Sequence, residues 1–175
     1  MSRLIYPVDA QDHAQGPAGA PVTLVEYGDY ECPYCGQAYP IIKEVQRALG
    51  DQLRFVFRNF PISELHPQAV MAAEFAEAAA GEGKFWEAHD MLYEHQQALR
   101  LPDLLAYGRT LGLSPATLDE AFAGTHDARI QRDFQGGIRS GVNGTPTLFV
   151  NGTRYDGERD AATLIGVLGA LARGG

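Results

Sequence analysis

The first third of the chain alternates between short apolar runs and one long amphipathic stretch. Residues 22–27 are nearly all apolar or β-branched, which is typical of a central strand covered on both faces. From 33 to 49, apolar side chains recur every three or four positions, which predicts an amphipathic helix ending at a glycine turn. A second strand is predicted over 53–58. After a lead-in loop over 9–20, these elements form a β-α-β unit.

The middle of the chain has a different pattern. From Leu65 to about Ser140 there is no convincing strand signal, and four or five helical stripes of apolar residues can be counted. The first helix is predicted to open with Pro67 at its first helical position, where a missing N–H removes no hydrogen bond. The sequence therefore predicts a helical block between two strand-containing regions.

Strand character returns near the end of the chain. Residues 147–150 are predicted as a strand, and the Asn151-Gly152 pair that follows is the strongest two-residue hairpin signal. A short strand over 153–155 completes the hairpin, and a last helix is predicted from about 160 to 172.

Composition narrows the class of protein. The 175 residues are 45% apolar and 21% charged, which predicts one globular domain with a full core. With 14 Lys and Arg against 22 Asp and Glu, the net charge of −8 argues against nucleic acid or anionic lipid as a partner. The longest mostly apolar run, 161–172, is shorter than the roughly 20 residues of a membrane-spanning helix. We therefore expect no membrane partner.

The first residues also lack the apolar stretch of about 7 to 15 residues that a secretory signal needs. A cytoplasmic location is expected on this ground. The expectation becomes periplasmic if the chain is a trimmed mature form.

The two cysteines, Cys32 and Cys35, are the main chemical feature. A disulfide across so short a loop would stabilise the fold by roughly 2 kcal/mol on the chain-entropy relation, which favours a chemical over a structural role. Cys32 falls at the predicted helix N-terminus, where backbone N–H groups and the helix dipole stabilise a thiolate. Cys35 lies one turn deeper and is more shielded. We expect Cys32 to attack a substrate and Cys35 to resolve the resulting adduct.

A Cys-x-x-Cys pair also occurs in zinc sites. A structural zinc needs four ligands, and the five histidines of the chain are scattered, with none spaced as His-x3–5-His. No metal is therefore expected. For His66 and His89, capping or core packing is favoured over catalysis.

Three segments resemble the DsbA-like branch of the thioredoxin superfamily. They are the run from Val22 to Cys35, the Phe-Arg-Asn-Phe-Pro run at 57–61, and the Gly-Thr-Pro-Thr-Leu-Phe-Val-Asn-Gly run at 144–152. The resemblance covers nearly the whole chain. It implies an α/β, thioredoxin-like fold with a central β-sheet and a large inserted helical subdomain. The expected division is a first core part at 1–62, the insertion at 63–140 and a second core part at 141–175.

The resemblance also implies roles for two further sites. Thr145-Pro146 corresponds to a cis-proline loop that faces the cysteines and accepts an extended substrate strand, although a trans proline at a strand start is the commoner arrangement. Glu26 corresponds to a buried acid that handles protons during exchange, and the alternative is an outward-facing strand residue.

The remaining expectations concern the cysteine pair itself. Pro33 and Tyr34, between the cysteines, are expected to contact substrate together with the proline loop, and Tyr34 to tune the potential. The redox-active Cys32–Cys35 disulfide is the only expected redox group, with no separate cofactor.

The expected function is thiol-disulfide exchange with protein or peptide substrates, with glutathione or a thioredoxin system as the redox partner. Two alternatives remain open. A glutaredoxin-like reductase is suggested by the Pro-Tyr dipeptide between the cysteines, although the helical block argues against it. A non-catalytic peptide-binding or chaperone module would not need both cysteines. The direction of exchange depends on relative thiolate stabilisation, which the sequence does not set.

Overall fold

The computed structural model describes residues 2–174. Its strands are His13–Gln15 (β1), Val22–Gly28 (β2), Leu53–Asn59 (β3), Thr147–Val150 (β4) and Thr153–Tyr155 (β5). Its helices are Pro33–Leu49 (α1), Ala69–Ala80 (α2), Phe85–Glu94 (α3), Leu101–Leu111 (α4), Pro115–Phe122 (α5), Asp127–Arg139 (α6) and Ala161–Gly174 (α7). A short 3-10 turn, Gly50–Gln52, links α1 to β3. Within residues 2–174, no helix has both the length and the apolar character needed to cross a membrane.

The five strands form one mixed sheet in the order β1-β3-β2-β4-β5. β2 and β3 are parallel and are joined by α1, while the other neighbouring pairs are antiparallel. β2 therefore lies at the centre, which explains why its sequence is apolar almost throughout. The helices α2 to α6 fall between β3 and β4, so the predicted thioredoxin-like fold with an inserted helical region is confirmed.

The alternation of side chains along the strands divides the core in two. Leu24 and Phe55 point to the larger apolar cluster, whereas Val25 and Val56 point to a smaller one on the opposite face. The larger cluster also contains Phe75 of α2 together with residues of α3, α4 and α5. The inserted helices therefore share the core of the sheet and do not form one of their own.

The lead-in loop predicted over 9–20 is wrong at 13–15, because β1 pairs there with β3. This strand is only three residues long and lacks apolar alternation, so its sequence carries no strand signal. Side-chain contacts from the helical insertion hold it in place. The His13 ring stacks on Phe85 at 3.6 Å, and its Nε2 lies 2.9 Å from a Glu77 carboxylate oxygen.

The predicted start of the first inserted helix is also wrong by two residues. α2 begins at Ala69, and Pro67 lies in the preceding turn. The Ala69 N–H donates to the carbonyl of His66 at 3.1 Å, which closes an i to i+3 turn. Proline suits such a turn as well as a first helical position, so the sequence does not separate the two.

Candidate active site

The segment that joins β2 to α1 carries the first cysteine. Cys32 is the N-cap residue of α1, and its N–H donates to the carbonyl of Asp29 at 3.1 Å. The buried Asp29 carboxylate accepts hydrogen bonds from the N–H groups of Glu31 at 2.8 Å and Ile62 at 2.9 Å. It also lies 2.7 Å from Nδ1 of His66. These contacts fix the position of the turn before the sulfur.

Cys32 and Cys35 have opposite electrostatic environments, and both are free thiols in this structure. A hydrogen bond from the Cys35 thiol is the main factor that lowers the pKa of Cys32, to about 5, against the opposing effect of burial. The Thr145 side chain and the N–H groups of Cys35 and Tyr34 add to this lowering. The first turn of α1 contains no acidic residue, so the thiolate is the anion at this helix N-terminus.

Cys35 is the more deeply buried of the two cysteines. Its side chain is fully inaccessible, and burial together with the hydrogen bond to Cys32 raises the pKa of its thiol well above the usual range. The charge of Glu26 adds to this increase. The pair therefore combines one ionised sulfur with one protonated sulfur at neutral pH.

Glu26 lies on β2 with its side chain on the same face of the sheet as Leu24, towards the larger apolar cluster. It is 2% exposed, and its Oε2 has no hydrogen-bond partner among residues 2–174. Burial is the main factor that raises the pKa of its carboxyl to about 8, and the Cys32 thiolate raises it further. The positive charge of Arg159 acts in the opposite direction. Glu26 is therefore a protonated acid that titrates near neutral pH.

The Thr145-Pro146 peptide bond is cis, as the resemblance to DsbA-like proteins implied. Cys32 Sγ lies 3.5 Å from the carbonyl oxygen of Thr145, so this loop lies directly against the first sulfur. A groove of about 330 Å³ runs beside the loop. Its lining residues are Tyr34, Gln37, Ala38, Ile41, Thr145, Pro146 and Arg159.

The residues predicted to contact substrate do not all line the same surface. Tyr34, whose side chain is 68% exposed, lines the groove together with Thr145 and Pro146. Pro33 lines a different, more polar depression, with Glu31, Gln68 and Gln96 among its other lining residues. The structure thus brings three of the four residues together at the groove and places Pro33 outside it.

Gln96, in the connection between α3 and α4, is a site residue that sequence reasoning missed. Its Nε2 donates to the carbonyl oxygens of Tyr30 at 2.8 Å and Cys32 at 2.9 Å. A Cβ atom on Gly36 would lie only 1.9 Å from Gln96 Oε1, so the glycine after Cys35 makes room for this side chain. The contact joins residues more than 60 positions apart, and no local pattern signals it.

Arg159 and Asp29 were missed as well. Arg159 follows β5, and its Nη1 donates to the carbonyl oxygen of Pro146 at 2.7 Å. Asp29 could have been found, because an aspartate bonding to the N–H two residues later is a common local turn.

The two histidines considered in the sequence have structural contacts. His66 lies against Asp29, and His89 is buried among aromatic rings with its Nδ1 3.0 Å from the Tyr30 hydroxyl. Burial lowers the pKa of His89 well below its usual value, so its ring is neutral. Among the described residues, no group of three or more His, Cys, Asp and Glu side chains is arranged to hold a metal ion.

A family model described as thioredoxin matches residues 9–169. The chain belongs to the thioredoxin family. Its fold is DsbA-like, with helices α2 to α6 inserted in the thioredoxin core. Its Cys32 and Cys35 form a Cys-x-x-Cys pair.

Solved structures of similar proteins match this thioredoxin-family chain over nearly its full length. A thioredoxin-like oxidoreductase from Silicibacter pomeroyi is 28% identical, with a TM-score of 0.82 and 95% of each chain covered. The alpha-DsbA1 protein of Wolbachia pipientis has a TM-score of 0.84 at 16% identity, covering 98% of this chain and 95% of the other. At 16% identity, the match to alpha-DsbA1 shows that the two proteins share a fold.

The curated relatives are longer proteins. The chain is 48% identical over 163 residues to a protein of Salinispora arenicola named Na(+)/H(+) antiporter NhaA 1. The match covers 92% of this chain and 25% of that protein. The thioredoxin-family chain therefore spans about a quarter of the length of this relative.

Proposed function

We propose that this domain exchanges disulfides with extended segments of protein or peptide substrates through its Cys32-Pro33-Tyr34-Cys35 motif. One observation carries the proposal. The sulfur with the lowered pKa lies at the N-cap of α1 against the Thr145 carbonyl, while its partner is fully buried and protonated. Such a difference suits one cysteine to attack and the other to resolve.

The reaction begins when the Cys32 thiolate attacks one sulfur of a substrate disulfide. A bond forms between Cys32 Sγ and that sulfur, the substrate S–S bond breaks, and the leaving thiolate takes a proton from solvent. Cys35 then loses its proton and attacks Cys32 Sγ, which releases the second substrate thiol. The substrate gains two electrons and becomes a dithiol, and the Cys32–Cys35 pair loses two and becomes a disulfide. The reverse sequence oxidises a substrate dithiol.

Glu26 supports the step at the buried sulfur. The Cys35 thiol must lose a proton to attack, and must regain one when it leaves during oxidation. A carboxyl with a pKa of about 8 can accept or return a proton near neutral pH, and Glu26 is close enough for its charge to act on Cys35. This gives Glu26 the role of a proton carrier for the resolving cysteine.

One surface supports docking of an extended substrate. The groove beside the proline loop places Thr145 and Pro146 against one side of Cys32, with the exposed Tyr34 ring at its edge.

A glutaredoxin-like reductase is less favoured, because the chain is DsbA-like and its inserted helices share the sheet core. A binding module without catalysis would not require the contrast between the two thiols. Glutathione or a thioredoxin system is proposed as the redox partner.

Trapping of covalent adducts tests the proposal. Cys35→Ala should accumulate mixed disulfides with substrate proteins, because the adduct on Cys32 has no resolving thiol. Cys32→Ala is the matched control and should trap few. Adducts are detected as shifts on non-reducing gels that dithiothreitol reverses. Equal trapping by both variants, or none by either, would contradict the assigned roles.

The cytoplasmic location stays a prediction. It can be tested by adding a membrane-impermeant thiol reagent to intact cells that contain the full natural protein. A cytoplasmic domain should keep Cys32 unlabelled until the cells are lysed. Labelling of intact cells would contradict the prediction.

A further inference from the structure

We infer that Arg159 makes the groove selective for substrate segments with a carboxylate close to the reacting cysteine. The inference rests on the proposed exchange reaction and names the chemistry of its substrates. Among residues 2–174, Arg159 is the only charged residue that lines the groove, and the other lining residues are neutral. A carboxylate on an extended segment is the chemical group that a guanidinium binds best, through paired N–H donors.

The Arg159 side chain lies at the proline loop. Its Nη1 donates to the Pro146 carbonyl oxygen at 2.7 Å, one residue after Thr145, whose carbonyl lies against Cys32 Sγ. A guanidinium has five N–H donors, and this contact uses one of them. The other donors have no hydrogen-bond partner among residues 2–174.

Arg159 has no ion-pair partner among residues 2–174, although its charge acts on the buried Glu26 carboxyl. By contrast, nearby Arg154 pairs with Asp156 at 2.8 Å. The adjacent Asp160 caps α7, accepting from the Thr163 N–H at 2.9 Å. In a protein of net charge −8, a lone positive group on the groove wall is a local site for an anion.

The shape of the groove favours a protein segment over glutathione, which also carries carboxylates. Tyr34, Gln37, Ala38 and Ile41 line it at the spacing of one helical stripe. The eight residues from Tyr34 to Ile41 cover about 10 Å of helix, which matches about three residues of extended chain on one side of the reacting cysteine. Glutathione has only one residue on each side of its cysteine, so a longer segment uses more of this wall.

The test measures reduction of three synthetic peptides by the reduced protein. They differ only at the residue next to cysteine, which is Glu, Gln or Lys, and each is a mixed disulfide with 2-mercaptoethanol. Chromatography follows release of peptide thiol, and each rate is divided by the rate with dithiothreitol to remove intrinsic reactivity. The parent should prefer the Glu peptide over the Gln peptide by about two- to fivefold at low salt, as expected of an exposed ion pair. The Lys peptide should be slowest.

Variants of Arg159 should change the relative rates of the three peptides, and any change common to all three reflects its contacts with the proline loop and its effect on Glu26. Arg159→Gln should make the three rates similar, Arg159→Glu should reverse their order, and Arg159→Lys should keep part of the preference for Glu. Arg109→Gln is the matched control, because it removes an exposed arginine on α4 that does not line the groove. It should retain the parent's order. Higher ionic strength should reduce the preference in the parent.

The outcomes separate this inference from the proposed function. If no peptide reacts with the parent protein, the proposed function fails. If all three react at similar normalised rates in both the parent and Arg159→Gln, only the selectivity is wrong. If Arg159→Gln slows reduction of oxidised glutathione but leaves the peptide preference unchanged, the carboxylate belongs to glutathione and the inference is overturned.

Discussion

The side-chain amide of Gln96 donates a hydrogen bond of 2.9 Å to the carbonyl oxygen of Cys32. Gln96 lies between α3 and α4, so the inserted helical region contacts the backbone of the nucleophile directly. The same nitrogen also binds the Tyr30 carbonyl, and the two contacts together hold the turn that ends at the helix N-terminus.

We expect Gln96→Leu to raise the pKa of Cys32. Without the amide, the turn is held less firmly, and the N–H groups of the first helical turn are less well aligned with the sulfur. Losing the equivalent of one N–H hydrogen bond to the Cys32 sulfur costs about 0.5–1.5 kcal/mol. This corresponds to a rise of roughly half to one unit in the pKa of Cys32. Thiolate absorbance near 240 nm against pH measures the shift. Gln97→Leu, at the exposed neighbour, is the control and should leave the titration unchanged.

Gly36→Ala should reach the same result from the other side of the contact. The new methyl group would occupy the position of Gln96 Oε1 and displace the side chain. Because both substitutions remove one interaction, their effects on the Cys32 pKa should not add in the double variant. Additive shifts would show that Gly36 and Gln96 act independently.

The two thiols should titrate separately in the reduced protein. Cys32 should ionise near pH 5, and Cys35 above the usual range for cysteine. The 240 nm absorbance should therefore rise in one step near pH 5, and this step should be absent from Cys32→Ala. A single transition near the unperturbed value of about 8.5 for both sulfurs would contradict the assignment.

Glu26→Gln should increase stability in a pH-dependent way. The carboxyl has a folded-state pKa of about 8, above its ordinary value of 4.5, so between these values the unfolded chain binds fewer protons and stability falls as pH rises. The variant lacks this loss, and its advantage in the reduced protein should appear above about pH 4.5 and level off above about pH 8. A gain of up to a few kcal/mol is expected. Denaturant unfolding of the oxidised proteins measures it, and because the Cys32 charge that adds to the pKa shift is then absent, the advantage should level off below pH 8.

The same variant should also slow exchange. A neutral amide cannot carry a proton to or from Cys35, so resolution of the mixed disulfide should be slower in Glu26→Gln. Single-turnover kinetics between pH 5 and 9 would show the difference. Equal rates across this range would leave Glu26 with a structural role only.

The reduction potential should lie between those of strongly reducing and strongly oxidising members of the superfamily. A Cys32 pKa of about 5 falls between about 7 for thioredoxin and about 3.5 for DsbA. Because thiolate stabilisation favours the reduced form, we expect a potential between about −270 and about −120 mV. Equilibration with glutathione buffers measures it, and a value at or below the thioredoxin potential would contradict the expectation.

The sequence was sufficient where one local pattern determines the structure. The bounds of α1 follow from its apolar spacing and from Gly50, and the β4–β5 hairpin follows from Asn151-Gly152, whose positive φ angles of 48° and 83° this pair readily adopts. The cysteine pair and the proline loop carry recognisable motifs.

The sequence was insufficient where distant segments complete the site. Gln96 and Arg159 bind backbone carbonyls of the cysteine turn and the proline loop, and a glutamine or an arginine in a connecting segment has no signature before the chain folds. β1 shows the same limit in the fold, since His13 is held by Glu77 and Phe85 and not by strand propensity.

The shared core has a consequence for how the molecule opens. Because the inserted helices pack into the same apolar cluster as the sheet, they cannot detach without exposing sheet residues such as Phe57. Their release would also remove Gln96 from the cysteine turn. Amide hydrogens of the inserted helices and of the first turn of α1 should therefore exchange in one cooperative opening, and a shortened chain without the insertion would lose both the core and the support of its nucleophile.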